Sequence, residues 1–148
     1  MILQHAPLSG TCMPTAFAMA LGVPVAEIID ALGDGQEIIC PDLPPPTGQR
    51  GYHIQELIHY AVKLGYSVTP FERVPELGWA NGHTLKLPGL EWGFNYIVAT
   101  TRGVIEGETH RCRHMVAYED GIIYDPRGSR YTEPKLHDFS PICAWRII

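Results

Sequence analysis

Long apolar runs are missing from this chain: Gly and Pro break stretches such as AFAMALGVPV well short of the ~20 residues that span a bilayer, so no membrane segment is expected. Basic charge is scarce as well, with 11 Lys plus Arg against 16 Asp plus Glu and a net charge of −5. Such a balance offers no cationic footprint for a phosphate backbone, and nucleic acid is not an expected partner. Only four cysteines are present (Cys12, Cys40, Cys112 and Cys143), with no CxxC pair. Neither a disulfide scaffold nor a zinc ribbon is signalled, and a reducing compartment is expected. Gln4, His5 and Pro7 interrupt the start of the chain before any secretory signal could form. The expected location is therefore cytoplasmic, or one reached without a recognisable signal peptide. A lipid anchor is not expected either, because Thr11 separates the LSG triplet from Cys12.

What is present suits an ordinary globular protein. Hydrophobic residues make up 45% of the 148-residue chain, and no repeat, charge block or low-complexity tract divides it. One domain over residues 1–148 is expected, long enough to bury roughly 70% of the surface of its unfolded form.

Apolar positions recur at helical spacing from Met13 to about Leu32, and Gly22 with Pro24 splits the run into two helices. Pro14 belongs in the first turn of the first helix, which places Cys12 at that helix's N-terminus. GDGQEIICPDLPPPTGQRG reads as an irregular surface loop. YHIQELIHYAVKLGY then predicts an amphipathic helix ended by Gly65. Beyond it SVTPFE, GFNYIVATTR, RHMVAYED, GIIYDP and ICAWRII are short β-branched and aromatic runs, read as an antiparallel sheet. Asp120-Gly121 predicts a two-residue hairpin in which Glu119 pairs with Ile122. Helices first and sheet second make the expected fold class α+β, with N-terminal helices packed on a C-terminal antiparallel sheet.

A cysteine at a helix N-terminus meets exposed N–H groups and the positive end of the helix dipole, which favour a nucleophilic thiolate. A small buried hydrophobe is the other reading of such a residue. A base is supplied by HMVAYEDGIIYDP: in the expected register His114 and Asp125 lie one diagonal step apart on neighbouring strands. An aspartate there can fix the tautomer of an imidazole and favour its protonated form.

In the order of these parts the chain resembles the papain-like cysteine peptidases. It is most similar to the small bacterial branch that includes the peptidase domains of bacteriocin-processing transporters. The matching positions are Gln4, Cys12 followed by the helix PTAFAMALG, His114 in HMVAYEDG and Asp125 in IIYDP. The resemblance implies a papain-like fold and a thiol-dependent hydrolase that attacks an amide or isopeptide bond of a protein or peptide through an acyl-enzyme. By that resemblance Cys12 is the nucleophile, His114 the general base and acid, Asp125 the orienting residue, and Gln4, eight residues upstream of Cys12, the oxyanion donor. No cofactor is implied. The same acyl-enzyme serves a glutamine deamidase, a transglutaminase or an acyltransferase, and a catalytically silent binding module of the same fold is a further alternative.

A rival chemistry lies in THRCRH, where His110, Cys112 and His114 would share one face of a strand as soft metal ligands. Spacing of two places such ligands about 7 Å apart, wide for a single ion on a straight strand, so no metal is expected. Trp92, in a Gly-flanked segment, and His53, just after the Pro-rich loop, are candidates to line or rim a substrate cleft.

Overall fold

The first helix, α1 (Cys12–Leu21), is apolar around most of its circumference, and every residue from Met13 to Leu21 is buried. Such a helix belongs inside a protein rather than on its surface. In the computed structural model it is the centre of the main hydrophobic core. The structure describes residues 1–8, 10–33, 35, 37–38, 50–74, 78–80, 93–109, 113–131 and 140–148. The Pro-rich loop expected after Gly33 falls mostly outside them, as do Trp92, His110 and Cys112.

Gly22, in a left-handed conformation, ends α1, and α2 (Val25–Leu32) follows after Pro24. Two short strands, β1 (Glu37–Ile38) and β2 (Arg50–Gly51), pair with each other and lead into α3 (Ile54–Lys63). The expected division into helices therefore matches the structure, and α3 buries Leu57 and Ala61 against the core.

Among the described residues the large sheet has seven strands: β3 (Val68–Val74), β4 (Gly78–Ala80), β5 (Arg102–Glu108), β6 (Arg113–Glu119), β7 (Ile122–Asp125), β8 (Ser129–Tyr131) and β9 (Ser140–Ile147). They lie in the order β4-β3-β9-β5-β6-β7-β8, with every pair antiparallel. The fold is α+β. Alternation along the strands divides the core in two. Val104, Met115, Ala117, Tyr124 and Trp145 pack with α1, whereas Ile105, Val116, Tyr118, Ile123 and Ala144 form a second cluster with Val98.

GFNYIVAT, read as a strand, is instead the helix α4 (Gly93–Thr100). Its β-branched and aromatic composition suits a strand, but the sheet face away from α1 needs a cover, and packing outweighs propensity. Ile97 and Val98 supply that cover. The helix end is tied to the β6–β7 turn, where Gly121 N–H donates to Val98 O at 2.7 Å and Asp120 N–H to Thr101 O at 3.0 Å.

Short strands β1, β2, β4 and β8 are absent from the expected runs, and so is the long β5, RGVIEGE, whose two glycines resemble loop punctuation. It is an inner strand, between β9 and β6. Gly103 is required there because a Cβ would collide with the Trp145 carbonyl and press on the Tyr118 hydroxyl. The hairpin after β6 follows the expected register: Glu119 pairs with Ile122 and Ala117 with Tyr124 around Asp120 (φ 48°) and Gly121 (φ 85°).

Gly103→Ala is expected to destabilise the protein by about 1–3 kcal/mol, since an inner strand can yield only by shifting its neighbour. Urea denaturation measures it, and an unchanged midpoint would contradict the close approach of β5 to β9.

Candidate active site

Cys12 is the first residue of α1, and the residues around it show why the helix starts there. Thr11 is the N-cap, yet its hydroxyl turns backwards, donating to Leu8 O at 2.5 Å and accepting from Leu8 N–H at 3.3 Å. It closes the preceding turn and makes no capping bond to the helix. Pro14, in the first turn, has no N–H to satisfy. The start of α1 is therefore uncapped by a side chain, with the backbone donors of its first turn directed outwards along the helix axis.

Across from this helix start stands His114, the second residue of β6 and 9% exposed. Its Nε2 lies 2.9 Å from Oδ1 of Asp125, the last residue of β7. With Nε2 so engaged, Nδ1 is the ring nitrogen left to serve Cys12, which interacts with His114 and lines the same cleft. The structure thus brings together three residues from α1, β6 and β7. The expected diagonal relation of His114 and Asp125 becomes a direct hydrogen bond.

Asp125 has no exposed surface. It opens the turn DPRG, in which Gly128 N–H donates to Asp125 O at 2.8 Å and Arg127 N–H donates to Asp125 Oδ1 at 2.8 Å. This is the local bonding an aspartate favours at the first position of a turn, with proline set next. Asp125 pairs with Ser129 across the three-residue loop, beginning β8. The Arg127 side chain then returns on the carboxylate: Nε lies 3.2 Å from Oδ1 and 3.1 Å from Oδ2, and Nη2 lies 2.9 Å from Oδ2. The N-terminal segment braces the turn, with Ala6 N–H donating to Pro126 O at 2.9 Å and the His5 ring set against Gly128.

These contacts displace two protonation equilibria in opposite directions. Burial disfavours the His114 cation, but the hydrogen bonds to Asp125 and Cys12 and the attraction of both groups outweigh it, raising the imidazole from 6.5 to about 9. Burial likewise disfavours the Asp125 carboxylate, yet the hydrogen bonds from His114 and Arg127 and the nearby imidazolium lower it from 3.8 to about 2. His114 therefore contributes stability that is complete below pH 6.5 and is lost as pH rises through about 9. Asp125 contributes above 3.8 and loses that contribution as pH falls toward about 2.

Cys12 and His114 open onto a cleft of about 270 Å³, including its mouth. Gly10, Cys12 and Met13 form one side, Arg113, His114 and Met115 another, and Gly51 with Tyr52 the wall leading into α3. Glu106 joins the lining, 3.6 Å from Arg113 in an ion pair. Tyr52 is held by its hydroxyl, which donates to Gly33 O at 2.7 Å.

The remaining candidates lie elsewhere. Gln4 does not reach Cys12: its Nε2 donates to Val23 O and its Oε1 accepts from Val25 N–H, both at 2.8 Å. Both ends of the amide are used at the far end of α1, where Pro24 cannot cap α2 with a side chain. Assignment of Gln4 as the oxyanion donor is therefore corrected: it ties the α1–α2 corner. His53 follows Tyr52 but serves as the N-cap of α3, accepting from Gln55 N–H at 3.2 Å while its own N–H donates to Glu56 at 3.0 Å. Trp92 lies outside the described residues. So do two of the three ligands of the rival metal reading, and among the described residues no cluster of three metal-ligating side chains occurs. Arg127 went unnoticed in the sequence reading; the available signal was an arginine two places after an aspartate in a D-P-x-G turn.

Comparison with known proteins finds no protein-family model and no curated protein that matches the chain. Among the described residues, no helix is long and apolar enough to cross a membrane.

Two outcomes are expected. In an NMR titration His114 stays protonated through pH 8 in the native protein, and Asp125→Asn lowers its midpoint by about one unit or more because burial then meets less opposition; an unmoved midpoint would refute the pairing. Gln4→Ala removes two hydrogen bonds, costing about 1–2 kcal/mol on thermal unfolding, and leaves Cys12 alkylation unchanged. A slowed alkylation at unchanged Tm would return Gln4 to the site.

Proposed function

We propose that the protein is a papain-like thiol hydrolase that cleaves an amide or isopeptide bond in a protein or peptide. The observation that carries this reading is the His114 ring bridging buried Asp125 and Cys12 at the mouth of one cleft. A thiol beside an imidazole that is itself held by a carboxylate is the arrangement of an activated nucleophile and its base. The α+β architecture, with one buried helix starting at the end of an antiparallel sheet, agrees with the resemblance in the order of the sequence elements.

In this mechanism the attacking form of Cys12 is the thiolate, with the imidazolium of His114 beside it. Sγ attacks the substrate carbonyl carbon, and the electron pair of the C=O bond moves to oxygen. The uncapped backbone donors of the first turn of α1 receive that oxyanion, with the helix dipole in support, in the place first assigned to Gln4. Collapse of the tetrahedral species breaks the C–N bond while His114 Nδ1 gives its proton to the departing amine. Water then attacks the thioester, losing a proton to the same Nδ1. Release of the carboxylate product restores thiolate and imidazolium. Asp125 takes no proton; it holds the ring so that Nδ1 serves both half-reactions.

The cleft supports a polypeptide substrate in two respects. Met13, Tyr52 and Met115 offer apolar walls, and the Glu106–Arg113 pair gives one side a polar element. With an overall charge of −5 the protein has no general attraction for polyanions.

Cys12→Ala is expected to abolish release of new amino groups from a denatured protein or peptide mixture while leaving circular dichroism unchanged. His114→Ala should slow iodoacetamide labelling of Cys12 at pH 7 by about tenfold or more, followed by peptide mapping with Cys143 as internal control. Full hydrolysis by Cys12→Ala, or equal labelling in His114→Ala, would overturn the reading.

A further inference from the structure

We infer that Arg127 is a positioning residue for the site: its guanidinium holds the buried Asp125 carboxylate in the orientation that presents Oδ1 to His114 Nε2. This inference rests on the hydrolase reading for its effect on turnover, but the geometry behind it is independent of any substrate.

The two carboxylate oxygens have different surroundings. Oδ1 meets His114 Nε2, Arg127 N–H and Arg127 Nε, whereas Oδ2 is held by Arg127 Nε and Nη2. Asp125 has no exposed surface from which water could replace those donors. Without the guanidinium, Oδ2 becomes a buried oxygen in search of a donor, and rotation about the carboxylate bond is the readiest way to find one. Rotation would draw Oδ1 away from His114.

The fork geometry matters as much as the charge. Nε and Nη2 together reach both oxygens, a match that a lysine ammonium cannot make. The Arg127 side chain is 44% exposed, so its removal opens no core cavity. Folding and positioning can therefore be separated at this residue.

Other charged or titratable groups around the pair come from several elements. Cys12 at the start of α1 interacts with His114, His5 in the N-terminal segment lies against Gly128, and Glu106 on β5 and Arg113 on β6 line the cleft. None of these is placed to span both oxygens of Asp125 as Arg127 does, and each is unchanged in a variant at position 127.

The test follows the hydrogen-bonded Nε2 proton of His114 by NMR as pH is lowered, in the full chain and in Arg127→Ala and Arg127→Lys. In Arg127→Ala the signal should disappear about one pH unit or more above its loss in the native protein, since burial then raises the carboxylate with less opposition. Arg127→Lys should fall between the two, retaining charge without the fork. Iodoacetamide labelling of Cys12 at pH 5 should drop about threefold to tenfold in Arg127→Ala. A purely structural arginine would lower Tm while leaving the proton's pH dependence where it was, and that result would overturn the inference. If Arg127→Ala does not fold, Arg127→Lys carries the test, and a titration identical to the native one refutes the fork. Failure of the hydrolase reading has a different signature: labelling insensitive to His114→Ala, with the Nε2 proton still responding to Arg127.

Discussion

A carboxylate with no contact with solvent must be surrounded by donors, and Asp125 sets that demand on this fold. Its oxygens take hydrogen bonds from His114 on the neighbouring strand and from the backbone and side chain of Arg127 two residues on. Each donor reaches it because β7 ends where it does. Shortening the strand would move the turn, and shifting the β6–β7 register by one residue would turn His114 to the other face of the sheet. The hairpin turn at Asp120-Gly121 thus fixes the site from the far end of its two strands. The N-terminal segment presses on the turn from outside through His5 and Ala6.

The opposite half of the site depends on α1. Its apolar surface is covered by the sheet, α2 and α3, so its axis has little freedom and its N-terminus has a defined place against β6. Thr11 turns its hydroxyl toward Leu8, leaving the helix start without a side-chain cap. Stability foregone at that end coincides with the position where a reactive thiol gains from free backbone donors. At the other end Gln4 supplies the capping contacts that Pro24 cannot, so one helix has a braced end and an open one. Under the proposed function, that asymmetry separates the structural role of Gln4 from the chemistry at Cys12.

Several features were legible from residues alone, for identifiable reasons. The helix breaks at Gly22 and Pro24, the amphipathic period of α3 and the Asp-Gly hairpin are all encoded within a few neighbouring positions. The relation of His114 to Asp125 followed from that hairpin, being a matter of counting along two paired strands. GFNYIVAT was misread because its composition suits either a strand or a covered helix, and the choice belongs to the sheet face it covers. RGVIEGE was passed over because glycine ordinarily weakens a strand, whereas Gly103 is there to let β9 approach. The oxyanion role of Gln4 came from the family resemblance alone, but its amide has partners nineteen and twenty-one residues away.

Local chemistry therefore specified the helices around Cys12, the register of His114 and the turn that follows Asp125. Interactions inside a turn or a hairpin act over a few residues and hold in almost any surroundings. Which helix start faces which strand end is another matter. Cys12 meets His114 across about a hundred intervening residues, through the burial of α1 on a sheet whose inner strand, β5, was not evident in advance. The Arg127 fork lies close in sequence to Asp125, yet its importance arises from the complete burial of that carboxylate, a property of the assembled fold. Burial turns an ordinary surface pair into one whose loss leaves an oxygen without a donor, and no reading of neighbouring residues could supply it.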